Sequence, residues 1–224
     1  MNENAYVPFP SRIRKVIRHT PIEYTFRMEY QGEVRPGQFF EVSIPKYGEA
    51  PISVSGIGSD FVDLTIRRVG KVTNEVFEHY EGNTLFLRGP YGNGFDVRDY
   101  QDSELVIVAG GTGVSPVRGV ISYFGEHAEQ HRGLTLIAGF KSDDDILFRA
   151  DFETWKEQMH VILTVDKGAP SPVRQVGLVT SFIPGLEVDD LQTVKAIVVG
   201  PPAMMRFTIA ALIERGFREQ NIWI

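Results

Sequence analysis

The residues with the strongest chemical signal lie in the run Leu105-Val-Ile-Val-Ala-Gly-Gly-Thr-Gly-Val-Ser-Pro116. Five apolar residues read as a buried strand that passes into three glycines and then Ser115-Pro116, the opening of a helix. Glycine at such a turn lets backbone N–H groups approach a phosphate, and a helix start behind it adds partial positive charge. The chemistry on offer is recognition of a nucleotide diphosphate. The G-x-G-x-x-G fingerprint is incomplete, because Pro116 stands where the last glycine would fall after Gly111-x-Gly113. A phosphate cradle and an ordinary strand–helix turn both stay open on these residues alone.

Four further segments marked by glycine or proline fall at expected strand ends. They are Ala50-Pro51-Ile52-Ser53-Val54-Ser55, Arg67-Arg68-Val69-Gly70-Lys71-Val72-Thr73, Gly89-Pro90-Tyr91-Gly92-Asn93-Gly94-Phe95 and Val198-Val199-Gly200-Pro201-Pro202. Singly, each has a plain structural reading: a Gly-Pro pair is a turn, and two arginines on a strand are a solvated face. Zero cysteines exclude disulfides, thiolate catalysis and cysteine-ligated metal within these residues. His127 and His131 have H-x-x-x-H spacing, but no glutamate follows the first histidine. The polar residues between them and the flanking Gly125 and Gly133 favour a solvated loop or helix end, so no metal site is expected.

The elements that would position these segments fall into two patterns. Residues 13–17, 24–28, 39–44, 52–55, 61–66 and 84–87 read as short strands separated by turn signals, with a short helix over 73–78. Six short antiparallel strands predict a small closed Greek-key barrel. From Glu104 onward, strands at 105–109, 134–140, 161–165 and 196–199 alternate with helices at 116–124, 150–159, 177–183 and 203–215. That alternation predicts a parallel sheet flanked by helices, a β + α/β chain with domains at 1–98 and 104–224. The polar stretch 98–103 is the expected boundary between the two domains.

Composition narrows the field. The chain has 224 residues, 42% hydrophobic and 23% charged, which is a globular composition. Its net charge of −6 argues against a nucleic-acid partner. No apolar run is long enough for membrane insertion and the N-terminus lacks a signal-peptide core, so a cytoplasmic location is expected.

Taken in order, these motifs resemble the ferredoxin–NADP reductase superfamily over essentially the whole chain. Residues 50–55, 89–95 and 109–116 are similar to the electron-transfer flavoprotein subunits of dihydroorotate dehydrogenase, sulfhydrogenase and anaerobic sulfite reductase, and the combination of residues 48–54, 66–73 and 88–95 to the latter two. Residues 39–46 and 139–142 tilt the resemblance towards the flavoprotein of anaerobic sulfite reductase. The resemblance implies FAD on the barrel, held by Pro51, Ile52, Ser53 and Val54, by Arg67, and by Gly70, Lys71, Val72 and Thr73. The family's flavin strand carries arginine and an aromatic where this chain has Ala50 and Ile52. Ile52 can still cover a flat ring, Ser53 keeps a hydroxyl near the redox nitrogen, and the pyrophosphate must lean on the Gly70 turn.

On the second domain the resemblance places a nicotinamide nucleotide against Gly110, Gly111, Thr112, Gly113, Val114 and Ser115, with Gly200, Pro201 and Pro202 shaping the ring site. Val199 stands where many relatives have cysteine. Ser53 and Gly200 are the residues nearest the reaction, which needs alignment of donor and acceptor to about 3–3.5 Å rather than an acid or base. Asp143, Asp144 and Asp145 follow the second strand of the sheet and would repel a 2′-phosphate, so NADH is expected over NADPH, with Arg149 as the opposing charge. The resemblance further implies iron–sulfur and sirohaem partner subunits. It also implies a cysteine-rich tail carrying a 2Fe–2S cluster beyond Asn221-Ile-Trp-Ile224 in a longer chain. A hydrogenase or dihydroorotate dehydrogenase complex, or a free-standing flavin or ferredoxin reductase, is the alternative.

Overall fold

A computed structural model describes residues 6–169 and 171–224. The chain divides into two compact units, Met1–Phe95 and Asp96–Ile224.

The first unit is a closed barrel of β1 (Phe9–Arg18), β2 (Glu23–Glu29), β3 (Phe39–Ile44), β4 (Gly48–Ile57), β5 (Phe61–Arg67) and β6 (Thr84–Tyr91), in the order β1-β2-β5-β4-β3-β6. All its pairings are antiparallel. Strand β1 closes it by pairing with β6 through Arg12 and with β2 from Ile13 onward, so one strand serves both neighbours. Alternation along β2 and β5 sends Phe26, Met28, Val62, Leu64 and Ile66 into a fully buried core with Phe40, Leu85 and Leu87. The outward residues of the same two strands pair in register: Glu23 with Arg67, Thr25 with Thr65, Arg27 with Asp63. Two of the rungs are hydrogen-bonded and the third, Glu23 with Arg67, is an ion pair at 3.2 Å. Arg27 donates to both oxygens of Asp63, at 2.8 and 2.9 Å, and the two threonine hydroxyls lie 2.7 Å apart.

Helix α1 (Lys71–Val76) starts two residues before the sequence expectation. Thr73 is its third residue rather than its cap: Thr73 Oγ1 accepts the N–H groups of Val69 and Gly70, both at 3.0 Å, and so fixes the turn from inside.

The second unit is a six-stranded parallel sheet in the order β10-β9-β8-β7-β11-β12. Its strands are β7 (Glu104–Gly110), β8 (Gly133–Phe140), β9 (His160–Val165), β10 (Gln175–Val176), β11 (Lys195–Val199) and β12 (Ile222–Trp223). Helices α2 (Val114–Glu126), α3 (Arg149–Gln158) and α4 (Pro202–Arg215) connect them. The chain enters at β7, winds through β8 to β9, then returns to place β11 on the other side of β7, which puts the topological switch between β7 and β11.

Three expectations change. The helix foreseen at 177–183 is only a 3-10 turn over Val179–Phe182. Its apolar spacing is genuine, since Val179, Ile183 and Leu186 are all buried, but Gly177 at φ +142° and Pro184-Gly185 leave no room for a longer helix. The stretch 98–103 belongs to the second unit, whose division from the first falls earlier, between Phe95 and Asp96. Tyr100 is 1% exposed and meets the Trp223 ring edge-on at 5.2 Å, and the Asp102 N–H bonds to the Gln130 carbonyl at 2.9 Å. The two histidines differ from the solvated pair expected. His127 stacks on Tyr123, whereas the His131 ring stands perpendicular to that of Phe124 with both nitrogens buried. No helix among the described residues is long and apolar enough to cross a membrane.

Candidate functional site

In the second unit the glycine turn follows β7. Gly110 ends the strand, Gly111–Gly113 make a single 3-10 turn, and Gly113 caps α2, which therefore begins two residues ahead of Pro116. The glycines do different work. A methyl group on Gly113 would stand 2.9 Å from Gly200 Cα and 2.8 Å from the Val199 carbonyl carbon, so this glycine lets the β7–α2 turn pack directly on the end of β11. A methyl group on Gly110 would meet Pro201 Cδ at 3.3 Å and collide with the Met204 sulfur. Gly111 alone has φ of +56° and open space where its side chain would be.

Burial draws the same division. Gly113, Val114 and Ser115 are buried, while Gly111 and Thr112 are partly exposed. Of the residues proposed to cradle a pyrophosphate, Gly111 and Thr112 are open to a ligand and the other four hold the turn in shape. Ser115 is 3% exposed and its Oγ has no hydrogen-bond partner. Gly200 is partly exposed and Pro201 and Pro202 are exposed, so all three lie at the mouth of the switch point beside the glycine turn.

The chain leaving β8 reaches the same edge, because Gly139 is in register with Gly110. There Asp143 receives both arms of Arg174, and Arg149 donates to the Asp143 carbonyl. The adjacent guanidinium holds the Asp143 carboxyl below its usual value. Arg174 lay outside the sequence expectations. Its signal is weak, since it sits in a polar loop 31 residues from its partner.

In the first unit, Pro51, Ile52, Ser53 and Val54 lie on β4, in register with Phe39 and Phe40 of β3 at Ser53 and Ile52. Val54 is buried; its N–H bonds to the Gln38 carbonyl at 2.8 Å. Ile52 packs partly on the core and Ser53 is half-buried, whereas Pro51 is exposed. At the α1 turn, a methyl group on Gly70 would meet nothing within 4 Å, and the first helical turn carries no acidic residue. The opening amides of a helix lack intrahelical acceptors, so Lys71 and Val72 present free donors to this space. Lys71 also lies 5.5 Å from the Tyr47 ring.

Arg67 is placed differently from the expectation. It is paired with Glu23 at 3.2 Å, and its Nε is buried without a hydrogen bond of good geometry. Arg68 leans over Phe77 and lies 3.7 Å from Glu78. The open cradle at Gly70, its free amides and the half-exposed Ile52-Ser53 strand fit a flat, phosphate-bearing cofactor such as FAD. Arg67 meets Glu23 through Nε and its side chain stays 39% exposed.

A barrel followed by a doubly wound sheet with a glycine turn at its switch point defines an FAD/NAD-binding reductase fold. A family model described as an oxidoreductase NAD-binding domain matches residues 107–209. The chain is 32% identical over 237 residues to the gamma subunit of sulfhydrogenase 1 of Pyrococcus furiosus, covering 100% of this chain and 80% of that protein. It is 33% identical over 141 residues to a probable dihydroorotate dehydrogenase B (NAD(+)) electron transfer subunit of Thermoplasma volcanium, covering 63% of this chain and 51% of that protein. Among solved structures, a ferredoxin NADP+ reductase of Neisseria gonorrhoeae with bound FAD and NADP aligns at a TM-score of 0.80 with 17% identity, over 96% of each chain. The chain belongs to the ferredoxin–NADP reductase-like superfamily of NAD(P)H-dependent flavin oxidoreductases.

Proposed function

We propose that this chain is the NADH-oxidising flavoprotein subunit of a multi-subunit electron-transfer complex. Gly111 carries the reading: it is the glycine of the switch-point turn that packing does not require, and it faces open space with positive φ. Bound FAD supplies the two-electron to one-electron conversion that such a subunit needs. Ile52 and Ser53 present an apolar edge and a hydroxyl to the flavin, and the amides of Lys71 and Val72 meet its phosphates. On the second unit, the amides of Gly111 and Thr112 receive the nucleotide pyrophosphate. Gly200, Pro201 and Pro202 shape the nicotinamide site and leave it free of acid and base.

The electron acceptor is read as a hydrogenase-type catalytic subunit, on the strength of a gamma-subunit similarity that spans the whole chain. Sulfite reductase, with iron–sulfur and sirohaem subunits, is the second reading, carried by residues 39–46 and 139–142. With no cysteine among the 224 residues, thiolate ligands for a 2Fe–2S cluster come from outside them.

Purified protein reconstituted with FAD should show flavin absorbance that NADH bleaches anaerobically and NADPH bleaches far more slowly. Colourless protein that refuses FAD overturns the flavoprotein reading, and equal bleaching by both nucleotides overturns the preference for NADH.

A further inference from the structure

We propose that the outward face of α4 is a two-fold contact between two copies of this chain, centred on Ala210, with Arg206 of each copy set against Glu214 of the other. Along α3 beyond its first turn, the exposed residues are Glu153, Thr154 and Glu157, as a solvated face requires. Helix α4 is built differently. Ala203, Phe207, Ala210 and Ile213 are exposed, Phe207 at 57% and Ile213 at 44%. They recur at steps of three and four residues and so form one apolar stripe, on the side of the helix opposite the buried Thr208 and Leu212.

Two charges stand on this stripe, placed evenly about its middle. Arg206 lies one turn before Ala210 and Glu214 one turn after it. Both are exposed, and neither forms an ion pair among the described residues. The Arg206 guanidinium lies 4.8 Å from the centre of the Phe207 ring, which holds the cation on the apolar face instead of letting it swing into water.

Antiparallel packing of α4 on its own copy satisfies both features together. In the commonest class of helix packing, at a crossing angle of about 50°, the i±4 rows of the two helices interdigitate. The row Arg206-Ala210-Glu214 then runs antiparallel beside the same row of the second copy. Arg206 meets Glu214 on each side of the axis, the small Ala210 lets the backbones approach, and Phe207 and Ile213 are covered on either flank. An unrelated partner has to supply an acid and a base at the matching spacing. A second copy brings them by symmetry, because in an isologous contact residue i meets j and j meets i. One helix against one helix covers less than the about 1,600 Å² of a standard interface, so the dimer is weak, with a Kd on the order of 10 μM.

The test is sedimentation equilibrium of the full chain from about 1 to about 200 μM at low salt, a range that brackets such a Kd. Wild type should pass from monomer to dimer, and high salt should weaken the association. Arg206→Glu and Glu214→Arg should each weaken it at least about tenfold, because like charges then meet on both sides of the axis. An equimolar mixture of these two variants should recover a dimer, since the reversed charges complement each other across the interface. Phe207→Ser should also weaken the wild-type dimer with no change of charge. All three side chains are exposed, so each variant should keep the circular dichroism and unfolding midpoint of wild type. Wild type that stays monomeric at the highest concentration overturns the proposal and leaves the face to a different subunit. A wild-type dimer that neither charge reversal weakens places the contact elsewhere and overturns it as well. Two weakened variants that fail to associate when mixed overturn the Arg206–Glu214 pairing on which it stands.

Discussion

Gly113 and Val199 touch through their backbones: a methyl group on Gly113 would lie 2.8 Å from the Val199 carbonyl carbon, with Gly200 Cα 2.9 Å away. Neither neighbour is a side chain that can swing aside. Gly113→Ala should therefore destabilise the second unit by about 1–3 kcal/mol, as overpacking does. Thermal unfolding followed by the circular dichroism of that unit should fall by several degrees whether or not nucleotide is present.

Gly111 gives the opposite signature. Its side-chain position is open, so Gly111→Ala adds only the strain of positive φ, about 1–2 kcal/mol. The added methyl group stands where the ligand would approach. Nucleotide affinity measured calorimetrically should drop at least about tenfold in a protein that still unfolds cooperatively. Comparable losses of binding from the two alanine variants, once corrected for stability, would contradict this division of labour.

Thr73 holds the α1 turn with one oxygen that accepts two N–H groups and donates to the Gly70 carbonyl at 3.2 Å. Thr73→Val keeps the shape and removes all three bonds. The barrel should lose about 1–2 kcal/mol, read from urea unfolding, and FAD should dissociate more readily because the free amides lose their fixed direction. Serine at this position should restore most of both.

Tyr100 ties the start of the second unit to β12 through Trp223. Tyr100→Ala should cost about 3–5 kcal/mol for the buried ring. It should also open residues 96–103 to limited proteolysis, while wild type should remain uncut there.

The Asp143–Arg174 pair predicts an acid dependence. The neighbouring guanidinium lowers the Asp143 pKa in the folded state, so the unfolded chain takes up the proton first as pH falls. The stabilisation is complete above the ordinary carboxylate range and is lost as pH drops through the depressed folded value. Wild type should lose thermal stability below about pH 4 more steeply than Asp143→Asn, and the two curves should run parallel above about pH 6.

The fold was readable wherever one residue's neighbours along the chain set its environment. Alternation in β2 and β5 and the near-continuous apolar run of β7 gave barrel and parallel sheet, because burial on one face or on both leaves a direct imprint on residue order. The short turn at Val179–Phe182 misled because its buried residues have helical spacing, while the glycine and proline beside it limit its length. The site was half legible. Glycines marked the turn, but only the position of Met204, Pro201 and Val199 tells which glycine is needed for packing and which faces a ligand. Arg67 gave no local sign of Glu23, 44 residues earlier on an adjacent strand and opposite it, and Arg174 gave none of Asp143.

The three polar rungs on the outside of β2 and β5 act as a proofreader of barrel closure. Side chains in strands alternate faces, so sliding β5 by a single residue would turn Asp63, Thr65 and Arg67 inward and leave Leu64 and Ile66 outside in their place. Glu23 and Arg27 would then lose their partners just as the core acquired a buried charge. A mispaired barrel is thus penalised on both surfaces at once, and the one register that survives pairs Val54 of β4 with Leu64 of β5, on the strand that carries Ile52 and Ser53 opposite Phe40 and Phe39 of β3.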